Sequence, residues 1–195
     1  MEHYYSEEQK SPLDLKKISQ RINGKYLVFF TASGIFSKDK VDKGTLILAE
    51  NMLVDKNSKI LDIGCGIGIL GIVAAKNFDA DVVMSDINKR AVMLAKKNIR
   101  LNNINAIICQ GDLYEKIKDS DFDVILSNPP QTAGKELCFM LIERSKGHLK
   151  QGGNLQLVAR HNKGGATLSK KMEDVFGNVK VMARKSGYSV YISFK

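Results

Sequence analysis

From Lys59 onward the chain consists of short apolar runs separated by stretches of helical spacing, and that alternation leaves few architectures open. The runs KILDIG, ADVVMSD, NAIICQGD and FDVILSN each close on an acidic residue, Gly or Asn. The helical patterns GILGIVAAKNF and NKRAVMLAKKNIRLNN lie between them. After them come GKELCFMLIERSKGHL, the strand NLQLVAR, the helix GATLSKKMEDVF and two closing strands, NVKVMARK and SVYISFK. Strands alternating with helices of this length predict a parallel sheet covered on both faces. The last two strands are joined only by Ser186-Gly187, too short for a crossover, so that pair is expected to be antiparallel. The expected fold is α/β: a doubly wound, mostly parallel seven-stranded sheet with an antiparallel C-terminal strand.

Ahead of this core, SPLDLKKISQRI predicts a short helix with Pro12 near its start, and KYLVFF predicts one or two strands. The segment TLILAENML predicts a helix with Thr45 available as its cap. At 195 residues, one domain over 1–195 is expected, with 1–43 as an N-terminal strand or hairpin extension and 44–195 as the core.

Composition excludes several classes. Apolar residues make up 44% and charged residues 26%, which argues against a disordered or fibrous chain. No apolar run approaches the length of a membrane span, and the N-terminus MEHYYSEEQK does not resemble a signal peptide, so no membrane and a cytoplasmic location are expected. Cys65, Cys109 and Cys138 are odd in number and lack CxxC spacing, which points to reduced thiols and no metal. The net charge of +9 is uneven: residues 131–195 hold twelve basic and four acidic side chains, whereas the preceding segments are nearly balanced. Such asymmetry suggests a polyanionic partner gripped by the C-terminal third.

The chemistry starts at Asp62-Ile-Gly64-Cys-Gly66-Ile-Gly68, where a strand runs directly into a helix. Glycines let the chain turn tightly and let a ligand approach the backbone. Gly66, Gly68 and Gly71 also satisfy GxGxxG, so a dinucleotide competes with S-adenosylmethionine at this point. Asp86 ends the second strand of the core, where a carboxylate accepts from a ribose diol, and either cofactor uses that. Asp62 separates the two: a carboxylate ahead of the loop suits an ammonium and sits poorly beside a pyrophosphate. Asp112 closes the third strand, placed to take an adenine amine on a ring held against Leu113 and Ile87. Ammonium, diol and amine occur in that order in S-adenosylmethionine. Cys65, between two glycines, reads as a small buried filler.

The fourth strand stops at Asn128-Pro129-Pro130, and parallel sheets bind ligands beyond such ends. Two prolines remove two amide donors, leaving rigid carbonyls and one carboxamide toward the cleft. Such a pocket accepts hydrogen bonds, as a planar exocyclic amine requires. The Asn128 side-chain oxygen and the Pro129 carbonyl would each take one N–H and aim the nitrogen lone pair at a sulfonium methyl.

Through LDIGCGIG, the ends at Asp86 and Asp112, and NPP, the chain resembles class I S-adenosylmethionine methyltransferases, which have a Rossmann-like fold. Gly34-Ile-Phe-Ser-Lys-Asp-Lys-Val-Asp42-Lys-Gly44-Thr45 is similar to the GxFSxxxxDxG element of the RsmC-type enzymes, which methylate the exocyclic amine of a guanine in small-subunit ribosomal RNA. That resemblance implies that Phe36 to Thr45 covers the cofactor, with Asp62, Gly64, Gly66, Gly68, Asp86, Asp112 and Asn128 lining it. It departs from many NPP enzymes in carrying Gln131, where they place an aromatic that stacks on the target ring; Tyr188 and Phe36 are the substitutes to consider. RsmC-type enzymes also carry an additional N-terminal domain, so RNA recognition is expected from this domain or a partner. Lys135, Arg160 and Lys163, together with His161, are expected at the same mouth of the sheet, meeting RNA phosphates. His161 is also a candidate base. Competing readings are a protein glutamine methyltransferase, which shares NPP, an NAD-dependent oxidoreductase, which leaves Asp62 and the double proline without a role, and a non-catalytic RNA-binding relative.

Overall fold

The computed structural model describes residues 6–8, 12–35 and 39–195. The core strands are β3 (Lys59–Ile63), β4 (Asp81–Asp86), β5 (Ile107–Gln110), β6 (Phe122–Ser127), β7 (Leu149–Arg160), β8 (Lys180–Lys185) and β9 (Tyr188–Phe194). They form a seven-stranded sheet in the order β5-β4-β3-β6-β7-β9-β8, parallel except at β9, which runs antiparallel to both neighbours. Helices α1 (Lys43–Asn51), α2 (Ile69–Phe78) and α3 (Lys89–Leu101) cover one face; α4 (Lys135–His148) and α5 (Gly165–Phe176) cover the other. Alternate residues of each strand face opposite ways: Ile60 and Val124 join the first cluster, Leu61 and Ile125 the second. Both sides are buried, so the strands read in sequence as unbroken apolar runs. The direction of winding reverses between adjacent β3 and β6, and a cleft opens beyond their carboxyl ends.

The expected N-terminal helix is instead a strand, β1 (Leu15–Ile22), paired antiparallel along its whole length with β2 (Lys25–Ala32). Asn23 and Gly24 both have positive φ, 49° and 81°, the geometry of a two-residue hairpin turn. That turn, together with burial of Ile22 and partial burial of Ile18 and Gln20, overrides the helical spacing in LKKISQRI. The far edge of β2 meets a helix instead of a strand. Asn98 on α3 donates to Phe30 O and Ile67 O, both at 3.0 Å, and accepts from Phe30 N at 2.6 Å. One turn later Asn102 donates to Val28 O at 2.8 Å. Two carboxamides four residues apart on a helix therefore serve a strand at positions two residues apart.

Helix α1 also starts differently. Its cap is Asp42, whose Oδ2 accepts from Thr45 N at 2.9 Å, and this frees the Thr45 hydroxyl for another task. Among the described residues, no helix is long and apolar enough to cross a membrane.

Asn98→Ala should cost about 3 kcal/mol in urea-induced unfolding, because it strands the Phe30 amide and carbonyl in a half-buried seam and leaves the Ile67 carbonyl without its donor. A loss below about 1 kcal/mol, comparable with an ordinary surface substitution, would show that the hairpin does not depend on this contact.

Candidate active site

The cleft holds a cavity of about 260 Å³. Thr45, Asp62, Gly64, Gly66, Asp86, Ile87, Asp112, Leu113, Asn128, Pro129 and Pro130 all line it. Gly68 does not: it caps α2 from below, with φ 86° and its carbonyl accepting from Ile72 N. Phe36 lies outside the described residues.

Asp62, at the tip of β3, has no solvent exposure. Its Oδ2 accepts from Gly71 N at 2.9 Å, whereas Oδ1 is buried without a hydrogen-bond partner. Burial pushes the carboxyl up to about 7, the Gly71 amide opposes that rise, and the Asp86 carboxylate adds to it. An orphaned oxygen on a buried carboxylate that borders a cavity is costly unless a cation meets it. The donor set therefore fits an ammonium.

Asp86 has a second task that its position in sequence does not announce. Both its oxygens are already engaged, Oδ2 by Gly66 N at 2.7 Å and Oδ1 by Asn88 N at 2.8 Å. It braces the glycine loop, and a diol would be taken on the lone pairs that remain, since a carboxylate has about four such sites. Burial raises its carboxyl too, against those two backbone hydrogen bonds. Asp112 is exposed at the rim beside Leu113, which has a φ of 46°.

At the end of β6, Asn128 is held from one side only. Its Nδ2 donates to Asp42 Oδ2 at 3.0 Å and to Thr45 Oγ1 at 2.9 Å. Both amide hydrogens are consumed by α1 and its cap, so the side chain can offer the cleft only its carbonyl oxygen. The backbone carbonyls are less open than expected: Pro129 O accepts from Gln131 N and Pro130 O from Ala133 N, each at 2.8 Å, leaving one lone pair apiece. Gly44 is obligatory in this arrangement. A Cβ there would lie 2.9 Å from both Asp42 Oδ2 and Tyr188 Cε1.

Sequence reasoning missed Asp42 as the anchor of Asn128, because nothing in the spacing of residues 42 and 128 announces their contact. It also missed Leu137 and Leu141, which line the cavity from α4; their i, i+4 spacing was legible only as a core face. Cys65 lies on the cavity wall, buried, with its thiol raised well above the usual range by burial.

The basic residues divide. Lys150 pairs with Asp123, Lys171 with Glu143, and Lys185 with Glu50; Lys146 and Lys195 cap the carbonyls of Val175 and Leu149. Lys180, Arg184 and Lys185 stand on the edge strand β8, where charge discourages pairing with another chain. Much of the C-terminal excess is thus structural. Lys135 and Lys163 flank a second cavity of about 220 Å³ beside Gln131, and Arg160 ends β7 next to it. His161 does not line the main cavity and contacts the Tyr191 hydroxyl at 3.0 Å. Tyr188 is buried, 9% exposed, under the Arg160 guanidinium, so its ring is no open stacking surface.

A family model described as methyltransferase small domain matches residues 26–192. The uncharacterized protein YbxB of Bacillus subtilis is 37% identical over 193 residues, 97% of this chain and 96% of that protein. Ribosomal RNA small subunit methyltransferase C of Hamiltonella defensa is 30% identical over 194 residues, 97% of this chain but 56% of its own length. The structure of the T. thermophilus 16S rRNA N2 G1207 methyltransferase (RsmC), in complex with AdoMet and guanosine, superposes with a TM-score of 0.85 at 25% identity over 95% of this chain and 51% of that one. The chain therefore spans about half the length of these RsmC relatives. A fold wound about the β3/β6 cleft, an orphaned acid ahead of the glycine loop and the match over nearly the whole chain converge: the chain belongs to the methyltransferase small domain family, as an RsmC-type class I S-adenosylmethionine methyltransferase.

Proposed function

We propose that this protein methylates an exocyclic amine of a nucleobase in RNA, the preferred acceptor being a guanine of small-subunit ribosomal RNA. The observation that carries the proposal is the one-sided anchoring of Asn128, which leaves a hydrogen-bond acceptor and no donor at the tip of β6. The names of the Hamiltonella and Thermus relatives support the choice of RNA and guanine.

S-adenosylmethionine, when bound, supplies an electrophilic methyl group on a sulfonium. Asp62 Oδ1 would pair with its ammonium, Asp86 with the ribose diol, and Asp112 with the adenine amine beside Leu113 and Ile87. Asn128 Oδ1 and the remaining lone pair of the Pro129 carbonyl would each accept one N–H of the acceptor. Those two contacts draw the amine away from conjugation with its ring and turn its lone pair toward the donor. As the nitrogen–carbon bond forms and the carbon–sulfur bond breaks, positive charge grows on nitrogen and the same oxygens stabilise it. The extra proton leaves to solvent, so no strong base is required.

Labelled methyl transfer to RNA from cells lacking the enzyme, against total protein, tests the acceptor. Label in a methylated guanosine is expected; label confined to protein glutamine would replace this reading with the alternative one.

Asn128→Ala should lower turnover roughly 10²- to 10³-fold, by analogy with loss of one preorganised transition-state contact, and leave cofactor affinity near that of the wild type. Turnover within twofold of wild type would remove Asn128 from the mechanism.

Cofactor affinity should also depend on pH through Asp62. Below about 7 the carboxyl of the free protein holds a proton, which must leave before the ammonium can be paired, so affinity rises with pH until that value is passed. Calorimetry should show roughly a tenfold gain from pH 5.5 to 7, and Asp62→Asn should bind weakly with a flat profile. A flat wild-type profile would contradict this assignment.

A further inference from the structure

The sequence carries Gln131 where many NPP enzymes carry an aromatic, and Tyr188 is covered, so the acceptor ring needs another flat neighbour. The covering group is itself flat. Arg160 Nε donates to the Tyr188 hydroxyl at 2.9 Å, and its Cζ lies 5.2 Å from that ring's centroid. The backbone beneath is fixed as well: Arg160 N donates to Gln131 Oε1 at 3.0 Å, while Gln131 Nε2 donates to Lys163 O at 2.9 Å. Gln131 thus ties the NPP turn to the segment that follows β7.

Placement follows from the sheet: the β6–β7 pairing ends at Ser127 and Leu157, and beyond it Arg160 N reaches the side chain of Gln131, the residue after Pro130. Tyr188 also borders the anchor of Asn128, since Gly44 leaves no room for a Cβ between that ring and the Asp42 carboxylate. The guanidinium is exposed, and among the described residues its one hydrogen bond is that of Nε to Tyr188.

We propose that Arg160, backed by Tyr188 and secured by Gln131, is the platform against which the acceptor base rests, in the position an aromatic takes in other NPP enzymes. Bases stack on guanidinium planes as they do on aromatic rings, and a lysine cannot replace that surface. The inference rests on the RNA reading above. It differs from a plain phosphate contact, in which only charge matters.

The test is methyl transfer to RNA from cells lacking the enzyme, with KM measured over a range of salt for wild type, Arg160→Lys, Arg160→Gln and Tyr188→Phe. Arg160→Lys is expected to raise KM about tenfold, nearly as much as Arg160→Gln, with a wild-type salt slope. Tyr188→Phe, which releases Nε, is expected to raise KM by a smaller factor, about threefold. S-adenosylmethionine binding serves as the folding control, because Arg160 does not line that cavity. If Arg160→Lys keeps KM within about twofold while Arg160→Gln reduces the salt slope by about 0.7, Arg160 is a phosphate contact and the platform is overturned. If wild type itself transfers no methyl group to RNA, the functional reading fails first, before any variant is compared, and the platform falls with it.

Discussion

Asn128 is a carboxamide with two hydrogens and one acceptor oxygen, and the protein uses up both hydrogens internally. That one-sided arrangement sets the polarity of the tip of β6. A free asparagine could rotate and present either end, and would then recognise donors and acceptors alike. Asp42 and Thr45 remove the choice. The same carboxylate caps α1, so the start of the helix and the orientation of the carboxamide are one structural event. Gly44 is what allows Tyr188 to approach that carboxylate closely.

The opposite end of the cleft works by contrast. Asp62 is buried with one oxygen unanswered, an arrangement that the fold tolerates because the carboxyl can hold a proton at neutral pH. Asp86, close by, is satisfied by two backbone amides and shapes the loop. Two carboxylates at adjacent strand ends thus differ in task because they differ in hydrogen bonding. One keeps an oxygen without a partner, and the other is largely committed to the backbone.

Charge illustrates how an aggregate can mislead. A net excess in the last third of the chain suggested a single basic face, yet those side chains distribute over ion pairs, carbonyl caps and an exposed sheet edge. What remains near the mouth is a small set arranged around Gln131. Arg160 is the most firmly fixed of them, its guanidinium held by a phenol and its backbone by an amide.

The order of strands and helices, the antiparallel closing pair and the acids and glycines at the strand ends were all readable from the residues, because each depends on periodicity or on turn chemistry within a few positions. The RsmC-type resemblance was likewise carried by short contiguous motifs. An N-terminal hairpin extension was expected, but its first arm, LKKISQRI, was misread as a helix because the partner that makes it a strand, β2, lies beyond the window. The tie between Asp42 and Asn128, the two asparagines docking β2 and the shielding of Tyr188 by Arg160 could not be read in advance. Each joins groups 28 to 86 residues apart, and whether a polar side chain faces solvent, a ligand or another residue is settled only when packing brings those distant segments within hydrogen-bonding range.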